Sequence, residues 1–515
     1  MSLETSKNAG TEKRIPSDDT ADIHHGVLSD IKGDGATGIN GHTQAMPQQF
    51  SWLSALGFGF SITNSWVGYL SCFGQTLTYG GAQACIFSMV VAFMVQLTVT
   101  LGLAELASAY PSSGGQYHFC YILSPKRTKR YSAYVVGWLS VLAWWIVTCS
   151  GISPTVAIIN DIANFCNLGY VANQWQTYLT YVAVAVITII PVFVVSQKIS
   201  LVTQFALYLS LAAYLVVFIV ILTMHQEVQP GSFILASGQG NSGWSRGTSW
   251  LLAITNSLYA FGGTDGVIHI CEELPRPGRR VPQVMIMTMI IGLLTSLSLF
   301  IALMFFIEDM DAVRNASIPS MELIYQITKS RPITLGLSIV LTIIYASALP
   351  SQWVTSGRIA WAFARDNGIP FPEFFTQIHP TLNFPVHTTL AALIFSTLYG
   401  LLYLASTTAF TSIITSAVLF LNITYTVPQG ILLTRGRGCL PQRYLNLGRL
   451  GYVCNMLSVV WIIILGVLVC LPSGGPVVDL GDMNYVCVIL VAVFGGINLL
   501  WMGVGRGRFV GPVVG

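Results

Sequence analysis

Charge is what this sequence has least of. Only 9% of its 515 residues are Asp, Glu, Lys or Arg, against 53% apolar ones. Soluble domains carry roughly a quarter charged residues, so the composition excludes an ordinary soluble fold. The net charge of +3 supplies no basic surface of the kind nucleic acid demands, and nucleic acid is not an expected partner. No HExxH motif occurs and no two carboxylates share an apolar stretch, so an enzyme lacks its parts. The ten cysteines fall mostly inside or beside apolar runs without metal-type spacing. They read as small buried apolar residues rather than metal ligands or a disulfide framework, and no cofactor is implied.

Apolar length is what the chain has instead. About 20 apolar residues cross a hydrocarbon core, and twelve such stretches can be marked: 53–73, 82–106, 134–158, 176–195, 201–223, 249–270, 283–307, 333–353, 387–405, 410–433, 451–471 and 483–503. The shortest gaps, 196–200 and 406–409, are the least defined. Cytoplasmic loops should be rich in Lys and Arg. With both termini inside, twenty of the basic residues are cytoplasmic, and only Arg246, Arg314, Lys329 and Arg331 lie outside. One missed span would invert every later loop and spoil that split. The sequon Asn315-Ala316-Ser317 falls in an outer loop, which makes Asn315 a candidate glycosylation site. The one at Asn422 lies inside a span. Residues 1–50 read as a disordered, polar cytoplasmic tail, with no cleavable signal before the first span, and 504–515 as a short second tail.

One acid stands inside a span. In YAFGGTDGVI, residues 259–268, Asp265 follows Gly262, Gly263 and Thr264. An ionisable group at membrane depth is a functional candidate by default, yet Thr264 and Asp265 are equally ordinary cap and first-turn residues of a restarted helix. Backbone leaves helical geometry within a bilayer only where it is buried or lines a cavity, so the glycines predict a broken sixth helix beside a ligand-sized space. An inverted-repeat transporter should have a matching break five spans earlier. There the first span carries Gly57 and Gly59, then Ser61, Thr63, Asn64 and Ser65. Taken alone, such a polar cluster could be helix–helix glue.

Three stretches, FGFSITNSWVGY at 58–69, ELASAYPSSGGQYHF at 105–119 and YAFGGTDGVIHICEELPRPGRRVP at 259–282, together resemble the amino acid/choline transporter branch of the amino acid, polyamine and organocation superfamily. The likeness is to its fungal choline and GABA permeases and covers about residues 50–510. It implies an all-α integral membrane protein of the leucine-transporter type. Helices 1–5 (51–223) and 6–10 (249–433) would form inverted repeats, followed by two peripheral helices (451–503). It further implies substrate contacts from Ser61, Thr63, Asn64 and Ser65 and from Phe261, Gly262, Gly263 and Thr264, with Phe261 as the aromatic that closes over the ligand. Glu105 and its motif look architectural.

Glu272, Glu273, Pro275, Arg279 and Arg280 match an inner-loop signature. Glu272 and Glu273 are expected to pair with Arg279, Arg358 or Arg365 as an inner latch, unless they are a solvated loop cluster. Several bacterial relatives carry a lysine within the fifth helix that links the site to protons. Residues 201–223 contain no ionisable group. The alternative proton device is Asp265 with His269, four apart on one helix face.

An amino acid carboxylate would sit on backbone N–H groups at the first break, whereas a quaternary ammonium would lean on aromatic faces. Trp66, Trp144, Trp145, Tyr259, Phe261, Tyr345, Phe420 and Tyr425 are the candidates. The expected activity is secondary transport of an amino acid, GABA or choline across the plasma membrane, with protons as coupling ion. Movement of a biosynthetic precursor or alkaloid product is a second option, and a non-transporting nutrient sensor a third.

Overall fold

The computed structural model describes residues 46–167, 169–405, 407–475 and 483–512. The expected tail therefore lies outside the described residues except for 46–50. Helices α1 (Trp52–Thr63), α2 (Ser65–Ala109), α3 (Gln116–Leu123), α4 (Lys129–Cys166), α5 (Gln174–Val194), α6 (Ile199–Met224), α7 (Gly231–Leu235) and α8 (Arg246–Ser257) come first. A 3₁₀ turn, Leu258–Phe261, and a 3₁₀ helix, Thr264–Glu273, follow. Then come α9 (Pro277–Phe305), α10 (Met310–Asn315), α11 (Pro319–Thr328), α12 (Arg331–Arg365), α13 (Pro372–Phe375), α14 (Val386–Gly400), α15 (Leu402–Ala405), α16 (Thr407–Arg435), α17 (Leu450–Leu468) and α18 (Val486–Leu500). No strand occurs among the described residues.

Among the described residues ten segments are long and apolar enough to cross a membrane. The gap to the twelve expected arises in two places. The first segment runs 58 residues, Trp52–Ala109, which as a straight helix would reach about 87 Å. It folds back instead at Gly80 and Gly81, where Gly81 takes φ 70° and ψ −158°. The Tyr69 hydroxyl then donates to the Cys85 carbonyl at 2.9 Å across the hairpin. The other place is the sixth span, whose α-helical part, α8, has only 12 residues before the backbone changes character.

Helix faces explain the packing. On α6, Thr203, Leu207, Ser210, Ala213 and Val217 are buried, while Leu201, Phe205, Tyr208, Leu215 and Ile219 are exposed. Exposed apolar stripes at helical spacing would be a liability in water and are the lipid-facing surface in a membrane. Among the described residues every cysteine is free, and Cys166 and Cys487 are exposed rather than buried.

Basic side chains collect at the two ends in separate networks. At one end Arg130 donates to the Arg506 carbonyl at 3.0 Å, and Arg435 to the carbonyls of Ile122 and Leu123 that close α3. At the other, Arg314 donates to the Leu77 carbonyl at 3.0 Å and Arg331 to that of Phe165 at 2.8 Å. The first is called the basic end below.

Candidate functional site

Two helices lose their hydrogen-bond ladder at the same depth. Asn64, at φ 30° and ψ 56°, separates α1 from α2. Its short polar side chain is one of the few that tolerate this left-handed conformation. The α6 residue Ser210 fixes it, donating to Asn64 Oδ1 at 2.8 Å while accepting from Trp66 Nε1 at 3.0 Å. The second break is Gly262, extended, and Gly263 at φ 78°. A Cβ on Gly263 would sit 2.8 Å from Ile62 Cγ2, so the breaks meet almost in contact and only glycine fits.

Between them lies a cavity of about 80 Å³, lined by residues that include Thr63, Asn64, Gly262, Gly263, Tyr259, Tyr345, Gln352, Asn422 and Tyr425. None of its lining residues carries a formal charge. Pockets for drug-sized ligands usually exceed about 300 Å³, so this one suits a small solute. Of the sequence-predicted contacts, Thr63, Asn64, Gly262 and Gly263 line it. The other four point elsewhere. Ser61 shares a 2.7 Å hydrogen bond with Ser351, Ser65 lies against Gly292, Thr264 meets Thr100 at 3.3 Å, and Phe261 packs edge-on against Phe93 at 5.5 Å. Tyr259, two residues before Phe261, takes the wall position. Of the other aromatic candidates Tyr345 and Tyr425 also line the cavity, while Trp66, Trp144, Trp145 and Phe420 do not.

Behind Tyr425 sits Asp265, fully buried. Gly263, not Thr264, occupies the cap position, without a side-chain bond, and Asp265 stands in the first turn as expected. Three other elements, and His269 of the same helix, reach the carboxylate. Gln116 Nε2 donates at 2.6 Å, Trp144 Nε1 at 3.0 Å and the Tyr425 hydroxyl to Oδ1, while His269 Nε2 lies 3.3 Å from Oδ2. His269 Nδ1 is 2.9 Å from the Ser113 carbonyl. Its ring packs on Gly115, at φ 57°, where a Cβ would come within 3.1 Å. The PSSGGQ stretch is thus no mere connector. It delivers Ser113, Gly115 and Gln116 to the Asp265–His269 pair.

Further along the same 3₁₀ helix two carboxylates meet arginines of α12. Glu273 is wholly buried and takes a bidentate pair from Arg358, with Nη2 to Oε2 at 3.0 Å. Gln49 also donates to it at 2.5 Å, and the Phe50 N–H donates to its carbonyl at 3.2 Å. Glu272 pairs with Arg365 at 3.1 Å. Burial alone would raise the Glu272 carboxyl, but the Arg365 guanidinium outweighs it and holds the group below its ordinary value. Asp366, next along, is pushed up to about 6 by burial while the Tyr117 hydroxyl donates to it at 2.8 Å. Arg279 takes no part in the latch; its guanidinium stacks on Tyr444 at 5.1 Å. It projects from the first turn of α9, which Arg276 and Pro277 turn away from the carboxylates. Glu105 is held by Arg437 and Arg443.

Gln116 and Tyr117 lie in the 105–119 stretch without a role read from it, while Asp366 and Arg437 belong to none of the quoted stretches, and their signal is only that buried polar groups must find partners. One run with hydrolase-like spacing, Gly243-Trp244-Ser245-Arg246-Gly247, serves another purpose, since Ser245 caps α8 by accepting from the Thr248 N–H at 3.3 Å.

Comparison with known proteins places these features. A yeast (Saccharomyces cerevisiae) protein named choline transporter is 28% identical over 99% of this chain and 90% of its own length. A swainsonine transporter of Arthroderma benhamiae is 26% identical over 88% of this chain and 90% of its own. A 7-keto 8-aminopelargonic acid transporter of Saccharomyces cerevisiae is 25% identical over 87% and 90%. The amino acid permease model matches residues 50–494; with that match across most of its length, the chain belongs to the amino acid permease family of multi-pass membrane transporters.

Proposed function

We propose that this permease carries a small amine-bearing solute through the cavity at the two helix breaks, driven by protons bound at Asp265 and His269. The observation that carries this reading is the placement of Tyr425. It lines the cavity and gives its hydroxyl proton to Asp265, so one side chain joins solute space and acid.

Proton binding follows from hydrogen-bond accounting. A carbonyl only accepts, so His269 Nδ1, 2.9 Å from the Ser113 oxygen, must carry a hydrogen. In a neutral ring Nε2 then presents a lone pair to Asp265 Oδ2. Two acceptors face each other unless a proton lies between them, on either partner. The geometry thus offers a place for one proton between the two side chains. Losing that proton frees Asp265 to pull on Tyr425, which changes the cavity wall.

Solute chemistry follows from the lining. Three tyrosines flank the space, and their hydroxyl hydrogens are already donated within the protein, to the carbonyls of Ser150 and Val67 and to Asp265. Ring faces and oxygen lone pairs are left for the ligand, an arrangement that suits an ammonium group. Asn422 adds a buried Oδ1 without a hydrogen-bond partner, its amide orientation fixed by donation to the Val418 carbonyl. Amino acids, GABA and choline all offer such a cation. The likeness to a swainsonine transporter supports an alkaloid or biosynthetic amine as a second reading. The basic end faces the cytoplasm by the positive-inside tendency, with both termini there, and the plasma membrane is the proposed location. Asn315, exposed on α10, is the proposed glycan acceptor on the other side.

The test is uptake of labelled choline, GABA, polyamines, pipecolate-like and basic amino acids in permease-deficient fungal cells, with and without an uncoupler. Uptake of at least one, abolished by the uncoupler, is expected; uncoupler-insensitive uptake would contradict proton coupling. Gly263→Leu should reduce that uptake more than 100-fold, an order-of-magnitude expectation from the positive φ and the Ile62 contact, with surface expression retained. Undiminished transport would remove the cavity from the pathway.

A further inference from the structure

A second cavity shares no lining residue with the one at the helix breaks. It is an open groove of about 670 Å³ at the basic end, lined by Trp52, Arg276, Arg279, Arg280, Gln283, Ile286, Met287 and Tyr444. Its three arginines are close in sequence at the start of α9, and among the described residues none of them makes an ion pair. Only Arg279 has a charged-group contact at all, its stacking on the neutral Tyr444 ring. The positive end of a 29-residue helix adds to their charge. Three cations and a helix N-terminus with no anion between them repel one another. The arrangement is complete only with a multivalent anion.

What lies above the groove identifies that anion. From Met287, in its wall, the exposed apolar residues Ile290, Leu294 and Ile301 continue along α9 at helical spacing. Trp52, at the start of α1, supplies an amphipathic ring of the kind that marks a membrane boundary. A soluble phosphate would use the arginines and leave this stripe idle. A phospholipid uses both, with its phosphate among the arginines and its acyl chain along α9.

We propose that this groove is a binding site for an anionic phospholipid of the leaflet facing the basic end. The lipid joins the first turn of α9 to α1, whose far end is the break at Asn64, and to the Tyr444 loop. The assignment does not depend on the solute or on proton coupling.

The experiment is native mass spectrometry of the purified full chain. Protein is exchanged from detergent into nanodiscs of phosphatidylcholine with 20 mol% phosphatidylserine, released, and scored for retained lipid. Attraction of basic residues to anionic lipid corresponds to about fivefold per arginine. Arg276→Gln/Arg279→Gln/Arg280→Gln should therefore lower phosphatidylserine retention on the order of a hundredfold, and Arg280→Gln alone about fivefold. These side chains are exposed or half-buried and bear no structural ion pair, so folding is preserved, with retained phosphatidylcholine as the internal control. Equal retention of the two lipids by the unmodified chain, or an undiminished preference in the triple variant, would overturn the proposal. So would displacement of the lipid by millimolar inorganic phosphate, which would mark the site as one for a soluble anion.

Discussion

The 3₁₀ helix Thr264–Glu273 holds two kinds of buried carboxylate a turn or two apart. Glu272 and Glu273 face the guanidinium groups of Arg365 and Arg358, which stay charged at any physiological pH. Asp265 faces Gln116, Trp144 and Tyr425, which donate hydrogen bonds without charge, and His269, which can gain or lose a proton. A permanent cation makes a carboxylate into a latch. A titratable partner makes it into a switch. Glu273 also receives the chain before α1, through Gln49 and Phe50, and its pairing with Arg358 holds at any physiological pH.

The largest break in this comparison comes from the latch. Arg358→Met leaves Glu273 buried and unpaired, which costs about 3–5 kcal/mol. Loss of folded protein by fluorescence-detected size-exclusion is expected, with substantial recovery when Glu273→Met is added; a fully stable single variant would show that Gln49 suffices. A smaller effect is expected at Glu272 and Arg365, the more accessible pair at 20% and 15% exposure. Arg365→Gln should cost on the order of 1 kcal/mol and should raise the Glu272 carboxyl, since the guanidinium that chiefly offsets its burial is then gone while the weaker Ser113 hydrogen bonds stay. Thermal midpoints compared across pH would reveal it.

The smallest effect sharpens the pH side of the contrast. Asp366 is pushed up to about 6 from an ordinary 3.8. An acid raised by folding stabilises the fold in its protonated form. Its contribution is complete below the ordinary value and is lost as pH rises through the raised one. Asp366→Asn should flatten the stability curve between about pH 4 and 6, leaving Glu272 to act in the opposite sense at more acid pH. A curve unchanged by the substitution would show that Asp366 contributes nothing to that slope.

Much of this was legible in the sequence because a bilayer tolerates so little. Gly262–Gly263 and the Asn64 region stand out against apolar helix, and the structure breaks both there. Arg358 and Arg365 were among the expected latch partners because few cations exist to choose from. What sequence could not supply is direction around the helix axis. Phe261 and Tyr259 are two residues apart, and only tertiary packing decides that Tyr259 faces the cavity while Phe261 meets Phe93. Likewise the cap expected at Thr264 rests on local spacing, whereas Gly263 takes that position and donors from α3, α4 and α16 converge on Asp265.

The central claim, that Asp265 with His269 is the switch and not another latch, is tested most directly in proteoliposomes. Uphill uptake driven by an imposed proton gradient and gradient-free exchange of labelled solute are measured side by side for the unmodified chain and for Asp265→Asn, which keeps the shape of the proton-bearing form. The expected result is loss of gradient-driven accumulation by on the order of tenfold or more, with exchange retained. Accumulation that survives at its normal level and pH dependence in Asp265→Asn would contradict the account.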